Sequence, residues 1–194
     1  MTRMSLAERR QKLLEAALAV IGRSGVAAAT TRAIAAEAGM PLASFHYAFE
    51  SHQHLMVEAM ASLGEAELAY CEQVQYSGTG VHEVVANALA AYLDDLEDRA
   101  EQHLSRMELS DYALRTEGQE SVPARWRAAR LEQLTRKLTD FDQTTGALQG
   151  ADPAAVATVV QGLGDAVLAA YLLTRDRAAA QAVIDAWSVV QQGT

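Results

Sequence analysis

The stretch that decides the fold is "TTRAIAAEAGMPLASFHYAFESHQHL", residues 30–55. Thr30 is a favourable N-cap for a short helix, and Gly39 is a favourable residue to end it. Pro41 fits the first turn of a second short helix, because its missing N–H would have no helical partner there. Ser51 can cap the next, much longer helix. Two short helices separated by a turn of three or four residues predict a helix-turn-helix.

The second short helix has an apolar side and a more polar side. Leu42, Phe45 and Phe49 recur at helical spacing, so we expect them to pack inward. In a helix-turn-helix this helix lies in the major groove of DNA, where side chains reach phosphates and base edges. The residues expected on or near the outward side are Ala43, Ser44, His46, Tyr47 and Ala48.

Helix-forming residues dominate the whole chain. Ala, Leu, Glu, Gln and Arg are abundant, and alternating strand-like segments are missing. Ser5 and Glu8 have the spacing of a capping box that begins the first helix. The clearest linker is "YSGTG", residues 76–80, and it precedes predicted helices at about 81–98, 101–117, 122–145, 153–174 and 178–191. The 194-residue sequence, half of it hydrophobic, therefore predicts an all-α fold of about nine helices.

The charge is divided unevenly along the chain. Residues 1–50 carry 6 basic and 4 acidic side chains, a balance of +2, whereas residues 51–194 carry 10 and 21, a balance of −11. The net charge of −9 argues against general affinity for nucleic acids. An acidic body with a mildly basic head suggests two tasks on one chain.

Cysteine content and apolar runs predict a cytoplasmic protein. The single cysteine, Cys71, excludes an internal disulfide framework. The N-terminal residues contain no apolar run of the kind that a signal peptide has. Residues 153–173 are long enough to span a bilayer, but Gln161 and Asp165 lie near their centre, so we expect a buried helix and no membrane insertion.

Residues 30–55 resemble the DNA-binding signature of the tetracycline-repressor (TetR) family. The residues that match, in order and without a gap, include Thr30, Arg32, Ile34, Ala35, Ala38, Gly39, Phe49 and Leu55. The chain departs from the family pattern at several positions. Phe45 replaces a Leu or Ile, His46 replaces a common Tyr, and His52 stands where a Lys often meets a phosphate. The operator is therefore not to be inferred from relatives.

The resemblance implies which residues approach DNA. Arg3, Arg9 and Arg10 could add contacts from an N-terminal arm. The predicted DNA-binding residues are Thr30, Thr31, Arg32, Ala43, Ser44, His46, Tyr47 and His52.

The resemblance also implies a division of labour along the chain. Residues 1–51 would form a three-helix DNA-binding domain. A long helix would join it to a ligand-binding and dimerisation bundle formed by residues 52–194. The implied function is a repressor that releases a palindromic DNA operator when an unknown small molecule binds the bundle. The implied assembly is a homodimer.

The effector pocket is expected among aromatic, soft and polar residues of the acidic part. Glu108 stands out because a buried carboxylate needs a partner. Arg130 or Arg136 could supply that partner, or a cationic ligand could; the sequence does not choose. The candidate pocket residues are Tyr92, His103, Met107, Glu108, Asp111, Tyr112, Trp126, Phe141 and Tyr171.

The last two predicted helices are candidates for the dimer interface. Small residues interspersed with large aliphatic ones in residues 156–173 would let helices approach closely. The final helix carries one apolar stripe. The predicted interface residues are Val159, Leu163, Val167, Val183, Ile184, Trp187 and Val190.

Two other kinds of function compete with this interpretation. An enzyme is disfavoured because the sequence shows no phosphate-binding loop, zinc spacing or nucleophile elbow. His52 and His54 point in different directions on a helix, so no metal site and no cofactor are expected. The alternative that remains is a DNA-binding regulator without a small-molecule effector, controlled by a protein partner.

Overall fold

The computed structural model describes residues 4–190, apart from the side chains of residues 188 and 190. In this range the chain forms nine α-helices, one short 3-10 turn at Val26–Ala28 and no strand, which confirms the all-α prediction. The helices are α1 (Leu6–Ser24), α2 (Thr31–Glu37), α3 (Leu42–Ala48), α4 (His52–Gln73), α5 (Val81–Asp98), α6 (Ala100–Leu114), α7 (Val122–Thr145), α8 (Pro153–Thr174) and α9 (Arg177–Val190).

Side-chain caps begin the helices where the sequence predicts them. At α1 the Glu8 N–H donates to the Ser5 hydroxyl at 3.2 Å, and the Ser5 N–H donates to the Glu8 carboxylate at 2.7 Å. The backbone hydrogen bond from Ser5 lowers the pKa of Glu8. The Thr30 hydroxyl accepts an N–H at the start of α2, and the Ser51 hydroxyl accepts one at the start of α4. These bonds satisfy N–H groups that have no partner inside the helix.

The chain packs as two compact units that do not follow chain order. Unit 1 consists of residues 1–66 with 101–123, and unit 2 consists of residues 67–100 with 124–194. Unit 1 therefore includes α6 as well as the N-terminal helices, and the change of unit at residue 66 falls inside α4. That the DNA contacts are confined to residues 1–51 stays a prediction.

Unit 1 has a core built from α1 to α4 and α6. Its α1, α2 and α3 pack against one another. Gly22 lets α1 lie close to α6, because a Cβ there would stand 3.0 Å from the Ser105 hydroxyl. Gly39 takes a φ of +65° in the turn between α2 and α3, a conformation that favours glycine. The largest fully buried side chains of this core are Leu13, Ile21, Ile34, Phe45, Phe49, Leu55, Met56, Met60 and Leu109.

Unit 2 is a helical bundle in which α5, α8 and α9 pack against one another. Leu134 and Leu138 of α7 belong to the same hydrophobic core. The centre of this core consists of Val84, Val85, Leu89, Leu93, Leu96, Leu138, Leu148, Ala157 and Val167.

Candidate functional site

The outward surface of the helix-turn-helix is formed by α2 and α3. Arg32 is exposed on α2, and Ala43 and His46 are exposed on α3. Tyr47 is 66% exposed, an unusual position for a large aromatic side chain. The structure therefore leaves these predicted DNA-binding residues accessible, and Thr31 of α2 is half-buried.

The expectation that Ser44 and Ala48 lie on this outward side is wrong. Ser44 is 7% exposed and Ala48 is 4% exposed. The seven-residue α3 is enclosed on more of its circumference than the Leu42, Phe45 and Phe49 spacing indicates, because α1 also covers it. The Ser44 hydroxyl accepts a hydrogen bond from Arg9 Nη1 at 2.8 Å, so it is used inside the domain.

Arg9 and Arg10 belong to α1 and bind α3 rather than forming a free arm. The Arg9 guanidinium lies 5.3 Å from the centre of the Tyr47 ring. Arg10 donates to the Ala48 carbonyl at 2.7 Å and lies 4.6 Å from the centre of the Phe49 ring. It also pairs with Glu58 of α4. Arg3, the third basic residue of the expected arm, lies outside the described residues.

Thr30 and His52 each have a structural partner at a helix start. The Thr30 hydroxyl caps α2 by accepting the Ala33 N–H at 3.2 Å. His52 Nε2 lies 2.7 Å from the Ala29 carbonyl oxygen, and since that oxygen only accepts, Nε2 donates the hydrogen. This bond fixes the imidazole at the first turn of α4, where backbone N–H groups are available to a phosphate.

The predicted pocket residues of α6 belong to unit 1. Glu108 Oε2 accepts the Val26 N–H at 2.6 Å, which gives the carboxylate a partner that the sequence interpretation did not consider. Asp111 forms an ion pair with Arg115, while His103 is buried. Together with Met107 and Tyr112, the Glu108 and Asp111 side chains line an open cleft of about 780 Å³ in unit 1.

Arg130 and Arg136, the two other candidate partners of Glu108, are engaged elsewhere. Arg130 donates to Glu67 and to Asp165, both at 2.8 Å, and Arg136 pairs with Glu132.

The remaining predicted pocket residues belong to unit 2. Phe141 lies 6.0 Å from Tyr76, measured between ring centres. The Tyr92 ring packs next to Gly164, since a Cβ added at Gly164 would lie 3.7 Å from the ring carbons. Tyr92, Trp126, Phe141 and Tyr171 are all half-buried. The nine predicted pocket residues are thus divided, five in unit 1 and four in unit 2.

An ion-pair network around the buried Arg130 of unit 2 was not predicted. Arg130 is 9% exposed and bridges Glu67 of α4 and Asp165 of α8, and Arg127 also pairs with Asp165. Burial alone would lower the pKa of Arg130, but Glu67 and Asp165 raise it above its ordinary value. Burial would raise the pKa of Asp165, but hydrogen bonds from Arg127 and Arg130 lower it. The sequence did contain a signal for this network. Asp165 lies in an otherwise apolar helix, and a charge there needs a cationic partner.

The predicted interface residues of α8 and α9 point in two directions. Val159, Leu163, Val183 and Trp187 are half-buried. Val167 and Ile184, at 0% and 3% exposed, face the core of unit 2, so their assignment to an interface is wrong. The prediction for Val190 lies outside the described side chains.

Two strongly exposed apolar residues on these helices were missed. Leu173 of α8 is 86% exposed and Val189 of α9 is 71% exposed. Among the described residues, α8 is the helix whose length and mean hydropathy, 1.6, would suit a membrane span, and 33% of that apolar segment is buried inside the chain. Such a test is weak evidence for a membrane, since a core or interface helix also passes it.

The fold and the exposed α3 define a helix-turn-helix protein of the DNA-binding class. Residues 13–59 match the model of the family described as bacterial regulatory proteins, tetR family. A curated protein of Paenarthrobacter nicotinovorans, the HTH-type nicotine-responsive transcriptional repressor HdnoR, is 46% identical over 61 residues. That match spans 31% of this chain and 31% of the length of HdnoR.

Solved structures with similar folds extend over nearly the whole chain. A transcriptional regulator from Streptomyces coelicolor A3(2) has a TM-score of 0.71 at 20% identity and covers 94% of this chain and 98% of its own. The multidrug binding protein EbrR, complexed with malachite green, has a TM-score of 0.61 at 26% identity and covers 93% and 96%. Residues 13–59 are therefore similar to the bacterial regulatory proteins of the tetR family, and nearly the whole chain shares its fold with these solved structures. The proteins it resembles are regulators rather than enzymes.

Proposed function

We propose that the protein is a cytoplasmic transcriptional repressor that binds a palindromic DNA operator through α2 and α3. The observation that carries this proposal is the exposed surface formed by Arg32, Ala43, His46 and Tyr47 on a helix-turn-helix. These residue types donate hydrogen bonds to phosphates and base edges, or let the helix approach the groove closely. The match to HdnoR, a transcriptional repressor, supports repression as the output.

We propose that the operator-binding form is a homodimer that pairs through α8 and α9. A long apolar helix that its own unit leaves partly exposed is expected at a subunit interface. Leu173 and Val189 would be covered in such a dimer, together with the half-buried Leu163 and Trp187. Two-fold symmetry would place two recognition helices on half-sites about one helical turn of DNA apart, or a multiple of that spacing.

We propose that a small organic cation releases the repressor from DNA. EbrR, which shares the fold over 93% of this chain, has been solved with malachite green, an organic cation. The balance of −11 in residues 51–194 favours a positively charged ligand. Since α4 contributes residues to both packing units, it is the element through which ligand binding would change the affinity for DNA.

Selection of DNA fragments by the purified protein tests the repressor proposal. Genomic DNA of the source organism, sheared and incubated with the protein, should yield fragments that share one palindromic sequence. The selected duplex should lose affinity steeply with salt, as phosphate contacts require. Selection that enriches no common sequence would contradict the repressor proposal.

Thermal unfolding with malachite green tests the effector proposal separately from DNA. A ligand at about one hundred times its dissociation constant stabilises a protein by roughly 2.7 kcal/mol, so a dose-dependent rise in Tm is expected. The neutral leuco form of the dye serves as the uncharged control and should stabilise less. No rise with either compound, together with sequence-selective DNA binding, would instead favour the regulator controlled by a protein partner.

A further inference from the structure

Arg9 makes an unusual set of contacts for a basic residue at the edge of a DNA-binding domain. Its Nη1 donates to the Ser44 hydroxyl at 2.8 Å, and its guanidinium lies 5.3 Å from the centre of the Tyr47 ring. The side chain is half-buried, and its Nε is enclosed without a hydrogen-bond partner among the described residues. A long side chain held at two points has already lost most of its rotational freedom.

The two partners of Arg9 lie on the same short helix, one turn apart. Ser44 faces inward at 7% exposed, whereas Tyr47 projects outward at 66% exposed. An exposed tyrosine with no neighbour would sample several rotamers and would lose that freedom on meeting DNA. The planar guanidinium at the ring limits those rotamers before DNA arrives.

We infer that Arg9 of α1 is a positioning residue that fixes Tyr47 on α3 in a DNA-ready orientation, with Ser44 as its anchor. This inference rests on the proposed DNA-binding function. It also gives Ser44 a role that differs from the base or phosphate contact expected from the sequence: Ser44 holds the arginine that holds the tyrosine. A direct phosphate contact by Arg9 is the competing explanation, and a lysine in its place would preserve such a contact.

The orientation of Tyr47 can be measured on the full-length protein without DNA. In NMR spectra of the protein with ¹³C-labelled tyrosine, Arg9→Lys should shift the Tyr47 ring resonance, because lysine keeps the charge but not the planar group. Ser44→Ala should shift the same resonance in the same direction. Lys12→Ala, which removes one charge from the exposed side of α1, is the matched control and should leave it in place. If neither Arg9→Lys nor Ser44→Ala changes the chemical shift of the Tyr47 ring, the inference is wrong.

A double-mutant cycle on the DNA fragment selected by the wild-type protein tests the consequence for binding. Arg9→Lys should weaken binding by about threefold to tenfold in the wild-type background. In the Tyr47→Ala background the same substitution should cost less than about twofold, because the residue that Arg9 positions is gone. Urea unfolding of each variant checks that the fold is kept.

The outcomes separate the two proposals. Equal losses in both backgrounds, or full binding by Arg9→Lys, would contradict positioning and leave the DNA-binding function intact. A wild-type protein that selects no DNA sequence would contradict the proposed function itself and with it the DNA role of Arg9.

Discussion

Glu108 is a single carboxylate that fixes the backbone between α1 and α2. It accepts the Val26 N–H at 2.6 Å, and Gly25 beside it has a φ of +84°. A Cβ at Gly25 would stand 3.0 Å from Glu108 Oε2, so the glycine permits both the turn and the close approach of the acid. The start of the helix-turn-helix therefore depends on one long-range charged hydrogen bond.

Replacing this carboxylate should weaken unit 1. Hydrogen bonds to charged groups contribute about 1.5–3 kcal/mol and neutral ones about half as much, so Glu108→Gln should lower the free energy of unfolding by about 1 kcal/mol. Urea unfolding followed by circular dichroism measures it. Asp111→Asn, one turn along α6 in an exposed ion pair with Arg115, is the control and should have a smaller effect. Equal losses in the two variants would argue against the Glu108 assignment.

Arg32 is exposed on α2 and is expected to meet a phosphate. Removal of one phosphate contact lowers the slope of log K against log salt by about one. Arg32→Ala should therefore weaken binding of the selected duplex mainly at low salt. Arg136→Ala in unit 2, an exposed arginine paired with Glu132, is the matched control. An unchanged salt slope in Arg32→Ala would show that Arg32 does not neutralise a phosphate.

At the residue scale, local roles could be predicted and long-range ones could not. Ser5, Thr30 and Ser51 cap helices as expected, because a cap depends only on neighbours three residues away. The hydrogen-bond partners of Ser44 and Glu108 were not predicted, because Arg9 and Val26 lie 35 and 82 residues away in the sequence. No pattern within one helix reports such a partner.

α8 is an apolar helix that nevertheless has strongly exposed apolar surface. It is apolar along its length, yet Leu173 is 86% exposed, while Asp165 on the same helix pairs with Arg127 and Arg130. Fully burying one leucine is worth about 1.5–3 kcal/mol, so an uncovered face of this kind favours association.

A charge on that face should weaken the dimer. Leu173→Glu should raise the dimer dissociation constant at least about tenfold, because a carboxylate would be desolvated at the interface. Sedimentation equilibrium across a range of protein concentrations measures it. Thr158→Glu, on an exposed and polar position of α8, is the control. A Leu173→Glu protein as dimeric as the wild type would place the interface elsewhere.

At the element scale, helix bounds followed from caps and linkers, whereas the side that each helix presents did not. Predicted helices at about 153–174 and 178–191 correspond to α8 and α9. Val159 and Val167 belong to the same apolar helix, but one is half-buried and the other fully buried. A helix that is apolar on most sides does not indicate in its sequence which side faces its own core and which a partner.

At the scale of the molecule, the stability of unit 2 depends on the ionised carboxylate of Asp165. The lowered pKa of Asp165 means that its ionised form is favoured by folding. Its contribution to stability is therefore present above 3.8, the ordinary pKa of an aspartate, and is lost as the pH falls through the lower pKa of the folded state.

Unfolding measured at several pH values checks this sign. Asp165→Asn should cost about 1–3 kcal/mol at pH 7, less than a fully buried pair because Asp165 is 37% exposed. As the pH falls from about 5 to below about 3, the wild type should lose more stability than the variant, so the two curves should approach each other. Parallel curves would show that Asp165 does not contribute to the acid sensitivity.

The division of the chain into two packing units could not be predicted from the sequence. Composition and charge separate the first 50 residues from the rest, but α6 packs in unit 1 although it lies in the acidic part. The close packing of α6 on α1 depends on Gly22 and Ser105, and neither residue indicates within its own helix that the two helices meet.

The central claim is that a dimer of this protein reads one DNA sequence through α2 and α3. Fluorescence anisotropy with the selected palindromic duplex and a scrambled duplex of equal length tests it most directly. We expect saturation at two protomers per duplex, or a multiple of two, and an affinity at least about 10³-fold above that for the scrambled duplex at physiological salt. We also expect Tyr47→Ala to remove most of this difference. Equal affinity of the wild-type protein for the two duplexes would contradict sequence-specific binding through α2 and α3.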